Sequence, residues 1–330
     1  MRPQSIAAEI NAAAASACVP LSVVLELSLR CNEQCYYCYR SQESPTAELS
    51  ANAWAAIFRQ LAQAGTLYCT ITGGEPFLRS DLMEILQSAR SFDLAISILS
   101  NGTLITEEHA RQLHELGIMD VGISLLAATP ELHDRLSGMD GSFRMATAAL
   151  DLLRRAGVRT LIKHSVSSEN FGHYRMLREY AELHGHGFEC DTMIMPSENG
   201  TPSPFALTQS QHAVFMNDMQ MQHCHMDQRN ALHCDAGRSL CGIGPAGDLY
   251  PCILLPQRWG SLEDESFVSL WRGRSAEQFR RDEENVRRVC ATCEMNTACA
   301  RCHALALAET GDWRGGAPSL CTRAEAFYKR

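Results

Sequence analysis

A chain of 330 residues, 45% of them hydrophobic, is long enough for one large domain and a smaller one. Its net charge of −9 argues against nucleic acid as the main partner, because phosphate binding needs a basic surface; a peptide with a basic segment stays open. Fifteen cysteines in a long chain without a secretion signal point to metal rather than disulfides.

Residues 1–18 are alanine-rich, but Glu9 and Asn11 interrupt any apolar core of a signal peptide, and no run approaches the length of a membrane span. They read as a short N-terminal helix or arm of a cytoplasmic protein with no membrane partner. The apolar run Val19 to Leu29 reads as a buried strand. Directly after it comes CNEQCYYC, with cysteines at 31, 35 and 38, all able to reach one small metal cluster from a single loop. A four-iron cluster normally takes four thiolates. Three local ligands suggest one iron left open for a ligand that is not protein. By spacing alone, a zinc knuckle completed elsewhere also fits.

A helix-and-strand rhythm follows. Ser50 can cap a helix with Trp54, Ile57, Phe58 and Leu61 on one face and Gly65 at its end. Leu67–Thr72 is a strand, and Asp81 starts a helix with Leu82, Ile85, Leu86 and Ala89 aligned. Leu94–Leu99 is the next strand. Thr106 with Glu107 and Glu108 opens a helix that closes at Gly117, and the strand IMDVGISL follows. Phe143, Ala146, Leu150 and Leu153 mark a helix ending at Gly157, before the strand VRTLIKHSV. A last helix near Tyr174–His184 precedes the strand FECDTMIM. About six such units make a parallel βα array, which fits an open partial barrel or a doubly wound sheet.

In βα barrels, functional residues gather past the C-terminal ends of strands. Cys31 follows the first strand, GGEP (Gly73, Gly74, Glu75, Pro76) the second and SNG (Ser100, Asn101, Gly102) the third, and Ser124 lies near the end of the fourth. Gly-Gly-Glu-Pro also serves as a plain turn. Lys163, His164 and Asp191 lie on the last two strands; alternation sends Lys163 and His164 to opposite faces, so both cannot point inward. Each equally suits an interior hydrogen bond or salt bridge.

Pro196–Phe205 is dense in proline, glycine and asparagine and marks a boundary. A polar, methionine-rich bridge over 201–233 contains HCH at 223–225, which reads as part of a bridging helix rather than a metal site. From Cys234 to Cys321 come eight cysteines, at 234, 241, 252, 290, 293, 299, 302 and 321. With few long apolar runs between them, they suit a small metal-stapled domain over 234–330. Eight divides into two sets of four, and a zinc ribbon is the rival for CATC and CARC.

CNEQCYYC resembles the cluster-binding loop of the radical S-adenosylmethionine (SAM) enzymes, with an aromatic residue, Tyr37, before the last cysteine. The region from Cys234 resembles the SPASM extension found in many of them, including Gly247 five residues before Cys252. The resemblance implies a partial (β/α)6 barrel over 19–200 and a C-terminal SPASM domain. It implies a SAM-binding cluster on Cys31, Cys35 and Cys38, with Tyr37 near the adenine and GGEP at the SAM amino group. Ser100, Asn101 and Ser124 match positions that bond the ribose and carboxylate. Arg135, in HDRLSG, matches an arginine that pairs with the carboxylate, although the common arrangement puts a basic residue where this chain has Ser137. The interleaved pattern assigns Cys234, Cys241, Cys252 and Cys302 to one auxiliary cluster and Cys290, Cys293, Cys299 and Cys321 to another. Two residues rather than the usual three separate Cys299 and Cys302, which puts Cys302 in question as a ligand.

The implied cofactors are thus three 4Fe–4S clusters and SAM. Family chemistry is reductive cleavage of SAM to a 5′-deoxyadenosyl radical, which takes a hydrogen atom from substrate. The expected substrate is a peptide or protein. A flavodoxin- or ferredoxin-type reductant and a separate leader-peptide-binding protein are expected partners, since nothing before Val19 is long enough for a leader-binding domain. Ile253 stands where related sulfatase maturases carry an aspartate base, which argues against alcohol oxidation by that means. Rival readings are an enzyme of porphyrin or sugar substrates and, in another class, an iron–sulfur electron carrier or redox sensor.

Overall fold

Alternate positions in successive strands are apolar and buried: Val23 and Leu25, Cys69 and Ile71, Ile96 and Ile98, Val121 and Ile123. A strand with one such face needs a cover, which amphipathic helices supply. The computed structural model describes residues 6–39, 47–196, 203–221, 234–296 and 299–328. Its elements run α1 (Ile6–Ala17), β1 (Ser22–Glu26), α2 (Ala51–Gln63), β2 (Tyr68–Thr72), α3 (Leu82–Arg90), β3 (Ala95–Ser100), α4 (Glu107–Glu115) and β4 (Asp120–Ser124). They continue α5 (Pro130–Ser137), α6 (Ser142–Arg155), β5 (Thr160–Ser165), α7 (His173–His184), β6 (Gly187–Asp191) and α8 (Gln209–Met221). The chain closes with β7 (Leu240–Ile243), β8 (Asp248–Tyr250), β9 (Gly260–Ser261), α9 (Phe267–Trp271), α10 (Arg274–Ala291), α11 (His303–Thr310) and α12 (Pro318–Tyr328).

Strand order along the sheet is β6-β5-β4-β3-β2-β1-β7-β8-β9. The first five strands pair parallel, each with its successor. A doubly wound sheet reverses direction at a switch point, and this order has no reversal within the first six strands. The array is therefore the partial (β/α)6 barrel.

Register carries the apolar face from strand to strand: Leu25 lies beside Ile71, Ile71 beside Ile98, and Ile98 beside Val121. The opposite face aligns Glu26 with Thr72, Thr70 with Ser97, and Ser124 with Lys163. Parallel pairing thus builds one oily face and one face with polar side chains toward the C-terminal ends. On α2, Trp54, Ile57, Phe58 and Leu61 are fully or nearly fully buried. At about 1.5–3 kcal/mol each, that burial outweighs any intrinsic helix preference.

The chain divides into two compact units, 1–164 with 172–190 and 236–276, and 165–171 with 191–235 and 277–330. Residues 236–276, read from cysteine density as the start of the C-terminal domain, belong to the first unit. The reason is that β7 pairs parallel with β1, and β8 and β9 extend that sheet antiparallel. In the second unit, α11 and α12 enclose Leu305, Ala306, Ala317 and Leu320. Trp313 stacks on Phe279 with ring centroids 4.7 Å apart.

α5 and α10 were not anticipated, although Pro130 opens and Gly138 closes α5 in the standard way. The bridging helix exists as α8, with Met216 buried, while HCH and Met226 lie outside the described residues. No helix among the described residues is long and apolar enough to cross a membrane.

Candidate active site

The three-cysteine loop is built onto the end of β1. Backbone N–H groups of Gly74 and Glu75 donate to the carbonyls of Ser28 and Arg30, both at 2.8 Å. Gly73 has φ +132°, and a Cβ there would lie 2.2 Å from the Ser28 carbonyl oxygen. From sequence, the glycine is expected to leave room for a ligand. In the structure it leaves room for the chain itself, since no side chain fits against Ser28. Arg79 is buried and ties down the same corner, donating to the carbonyls of Leu27 and Leu49, each at 2.9 Å, and pairing with Asp81 at 2.7 Å.

Glu75 is wholly buried. Its carboxylate accepts from Ser100 Oγ and from the Asn101 N–H, both at 2.8 Å, and from the Phe77 N–H at 3.1 Å. Burial pushes its pKa up, and these donors pull it back down. Glu75 and Ser100, expected to contact the cofactor, thus spend these groups on locking the ends of β2 and β3 together. The Asn101 side chain reaches further: Nδ2 donates to Asn32 Oδ1 at 2.9 Å and lies 4.0 Å from Cys31 Sγ.

Across the loop, Gln34 and Tyr36 donate to the carbonyls of Ser137 and Leu136, at 2.9 and 3.1 Å, at the end of α5. Ser137, the departure from the family pattern, is buried and bonds Ser142 at 2.7 Å, so it serves packing. Arg135 is exposed on α5. Tyr37 is half-buried, its ring meeting Tyr36 edge to face. Pro76 is buried at the start of a 3-10 turn. Ser124 shares the polar face of the sheet with Lys163, which pairs with Glu189. His164 is buried, and its Nδ1 bonds the Leu125 carbonyl at 2.7 Å. Asp191, in the second unit, accepts from the N–H groups of Thr192 and Met193.

What the loop offers is a set of crowded thiols. The Cys35 thiol is pushed up by burial, then by Glu33, and further by the nearness of Cys31 and Cys38. Cys35 donates to Glu33 Oε2 at 3.3 Å, and burial holds the Glu33 carboxyl up at about 7. A thiol held among such neighbours suits a shared cationic centre, which takes thiols as thiolates. The Glu33 N–H, 3.5 Å from Cys31 Sγ, and Asn101 add N–H donors of the kind that surround cluster ligands. Sequence reasoning missed Asn32, Glu33, Glu48 and Arg79, which hold this frame, because nothing in local pattern separates a framing polar residue from a solvated one.

The later cysteines divide between the units. Cys241 is buried on β7 beside Val23, and Cys252 half-buried after β8, both in the first unit. Between them, Gly247 turns the β7–β8 hairpin at φ +81°, and a Cβ there would sit 3.1 Å from Leu49 Cδ1. In the second unit, Cys290, Cys293, Cys299 and Cys321 line one cavity of about 470 Å³. Burial raises the Cys299 thiol, and the other three raise it further. These four are the thiols that the resemblance groups on one auxiliary cluster. Cys234 and Cys302 lie in the second unit, outside that cavity's lining. Cys302 precedes α11, where the amides of Leu305 and Ala304 favour its thiolate against burial. Among the described residues, no three His, Cys, Asp or Glu side chains converge on a point sized for a single ion.

The radical SAM superfamily model matches residues 25–179, and the iron–sulfur cluster-binding SPASM model matches 234–294. The chain belongs to the radical SAM superfamily. It is an enzyme whose domains carry 4Fe–4S clusters and use SAM, one cluster in the radical SAM domain and two in the SPASM domain. It is 26% identical to the AdoMet-dependent heme synthase of Methanosarcina barkeri, over 89% of this chain and 94% of that protein. It is 25% identical to the PqqA peptide cyclase of Methylocella silvestris, over 91% and 87%. Its fold matches Streptococcus suis SuiB, solved with its precursor peptide SuiA, at a TM-score of 0.74 and 16% identity, covering 96% of this chain and 80% of that one. The fold is thus shared with SuiB along nearly the whole chain.

Proposed function

We propose that this radical SAM enzyme is a maturase that alters a ribosomally made peptide at a C–H bond, forming a cross-link or another change. Cys31, Cys35 and Cys38 would hold the first 4Fe–4S cluster, leaving one iron for the amino and carboxylate groups of SAM. When bound, that cluster supplies one-electron cleavage of SAM and so a 5′-deoxyadenosyl radical able to take hydrogen from substrate. The chain's part is to seat the two groups. The fully engaged Glu75 fixes the GGEP backbone and the Asn101 amide at set positions beside Cys31. Tyr37, Ser124 and Arg135 are the proposed further contacts to SAM. Cys290, Cys293, Cys299 and Cys321 are the proposed ligands of one auxiliary cluster, and Cys234, Cys241, Cys252 and Cys302 those of the other.

The chemistry rests on one observation: three cysteines in one loop, with the Cys35 thiol near both Cys31 and Cys38, mounted on a frame that spans β1, β2, β3 and α5. An electron carrier has no need of such a frame beside a partly ligated cluster. For the substrate, support comes from likeness to the PqqA peptide cyclase along nine-tenths of the chain. The equal likeness to a heme synthase keeps porphyrin side-chain decarboxylation as the second reading. Working partners would be the peptide, a flavodoxin- or ferredoxin-type reductant and a leader-peptide-binding protein, in the cytoplasm.

The test is to incubate the reduced, reconstituted enzyme with SAM and the peptide encoded beside its gene. A changed peptide mass or stereochemistry, formed together with 5′-deoxyadenosine, is expected. Deoxyadenosine formed without peptide change, alongside decarboxylation of an added porphyrin, would replace the peptide reading.

A further inference from the structure

The cavity walled by Cys290, Cys293, Cys299 and Cys321 also holds a guanidinium. Arg301 is half-buried and directs Nη1 to Cys290 Sγ at 3.7 Å and Nη2 to the Trp313 carbonyl at 2.9 Å. Its Nε–H is buried and, among the described residues, meets no acceptor. Nearby arginines are matched with carboxylates: Arg314 with Asp282 and Asp312, Arg287 with Glu283, Arg323 with Asp191. Arg301, among the described residues, bonds only a thiol and a carbonyl. The carbonyl is a firm anchor, because the Trp313 ring is stacked on Phe279 and meets His303 edge to face.

A half-buried cation without a counter-ion carries a cost, and so does a buried N–H without an acceptor. Both costs vanish if the cavity holds an anion. A cubane with four thiolate ligands is one, with sulfur acceptors at its corners.

We infer that Arg301 is the built-in counter-ion of the cluster proposed for Cys290, Cys293, Cys299 and Cys321, and that it raises that cluster's reduction potential. The inference rests on that ligand assignment. The sign follows from charge. Reduction adds an electron to an already negative group, so a fixed cation and N–H···S donors stabilise the reduced form more than the oxidised one. Arg301 is a positioning and tuning residue, not a catalytic one.

The test uses the full chain, reconstituted anaerobically, with Cys31, Cys35 and Cys38 replaced by alanine so that the first cluster's signal is absent. Iron and sulfide are counted per chain, and both auxiliary midpoints are measured by EPR-monitored redox titration. Arg301→Gln should keep the iron and sulfide and lower one midpoint, leaving the other in place. Arg314→Gln, which removes a carboxylate-paired arginine from the same cavity, should move neither. Unchanged midpoints in fully loaded Arg301→Gln overturn the inference. If instead Cys290→Ala leaves the iron count and both midpoints unchanged, the ligand assignment has failed. Should Arg301→Gln fail to load, protein labelled with 15N in its arginine guanidinium groups decides. Pulsed EPR of the reduced form should show an arginine 15N coupling, and its absence overturns the inference.

Discussion

Replacing Glu75 with alanine removes the shared acceptor of three donors, the Phe77 N–H, the Asn101 N–H and Ser100 Oγ. The hydroxyl can rotate toward another acceptor, but the two buried amides cannot. Each orphaned buried N–H costs about 1–3 kcal/mol, so the pair costs about 2–6 kcal/mol. Part is recovered, because burial disfavours the carboxylate itself, as its raised pKa records. A net loss of about 3 kcal/mol remains. At about 2–4 °C per kcal/mol for a unit of this size, the unfolding temperature should fall by about 6–12 °C. Anaerobic thermal unfolding checks the shift, and SAM titration of the reconstituted protein runs beside it. If unfolding moves by less than about 2 °C while SAM affinity drops sharply, the carboxylate faces the ligand and the framing argument is wrong.

Gly73→Ala puts a Cβ 2.2 Å from the Ser28 carbonyl oxygen in a backbone conformation that alanine rarely adopts. Iron bound at the first cluster should be lost even if the chain stays helical by circular dichroism; normal iron content and SAM cleavage would refute the close approach. A pH effect centres on His133, whose buried ring accepts the Leu126 N–H at 3.1 Å and whose pKa burial lowers to about 4. A group depressed on folding contributes fully above its unfolded value, near 6.5, and loses that contribution as pH falls toward 4. His133 should therefore cost about 3 kcal/mol between those limits, and His164 acts in the same direction. Denaturant midpoints at pH 7.5 and 4.5 should converge in His133→Gln relative to the parent, and equal pH dependence in the two proteins would exclude this histidine.

Much of the barrel was legible because its cues are local. Ser50 and Thr106 cap α2 and α4 as their positions suggest. The apolar stripes of α3, α6 and α7 fall at helical spacing. α10 was illegible for a physical reason. Its inward stripe of Ala276, Phe279 and Val286 includes Glu283, almost wholly buried and tied to Arg287, so the apolar repeat is broken by a charge. The site was half legible. Cysteine spacing marked the ligands, whereas the roles of Glu75 and Ser100 depended on which way their side chains turned.

By itself, the sequence determined the chemistry-bearing groups and their order: three close thiols after a first strand, a glycine-glycine-glutamate turn after the second, and eight further cysteines toward the C-terminus. Spacing along the chain limits which atoms can meet at one loop, so that much needs no coordinates. Tertiary structure alone decided that β7–β9 join the main sheet, that the glycine-rich turn after β2 rests on Ser28, and that Arg301 lies among four thiols. Those contacts join residues far apart in sequence. Pairing energy and burial select them only once the whole chain has closed on itself.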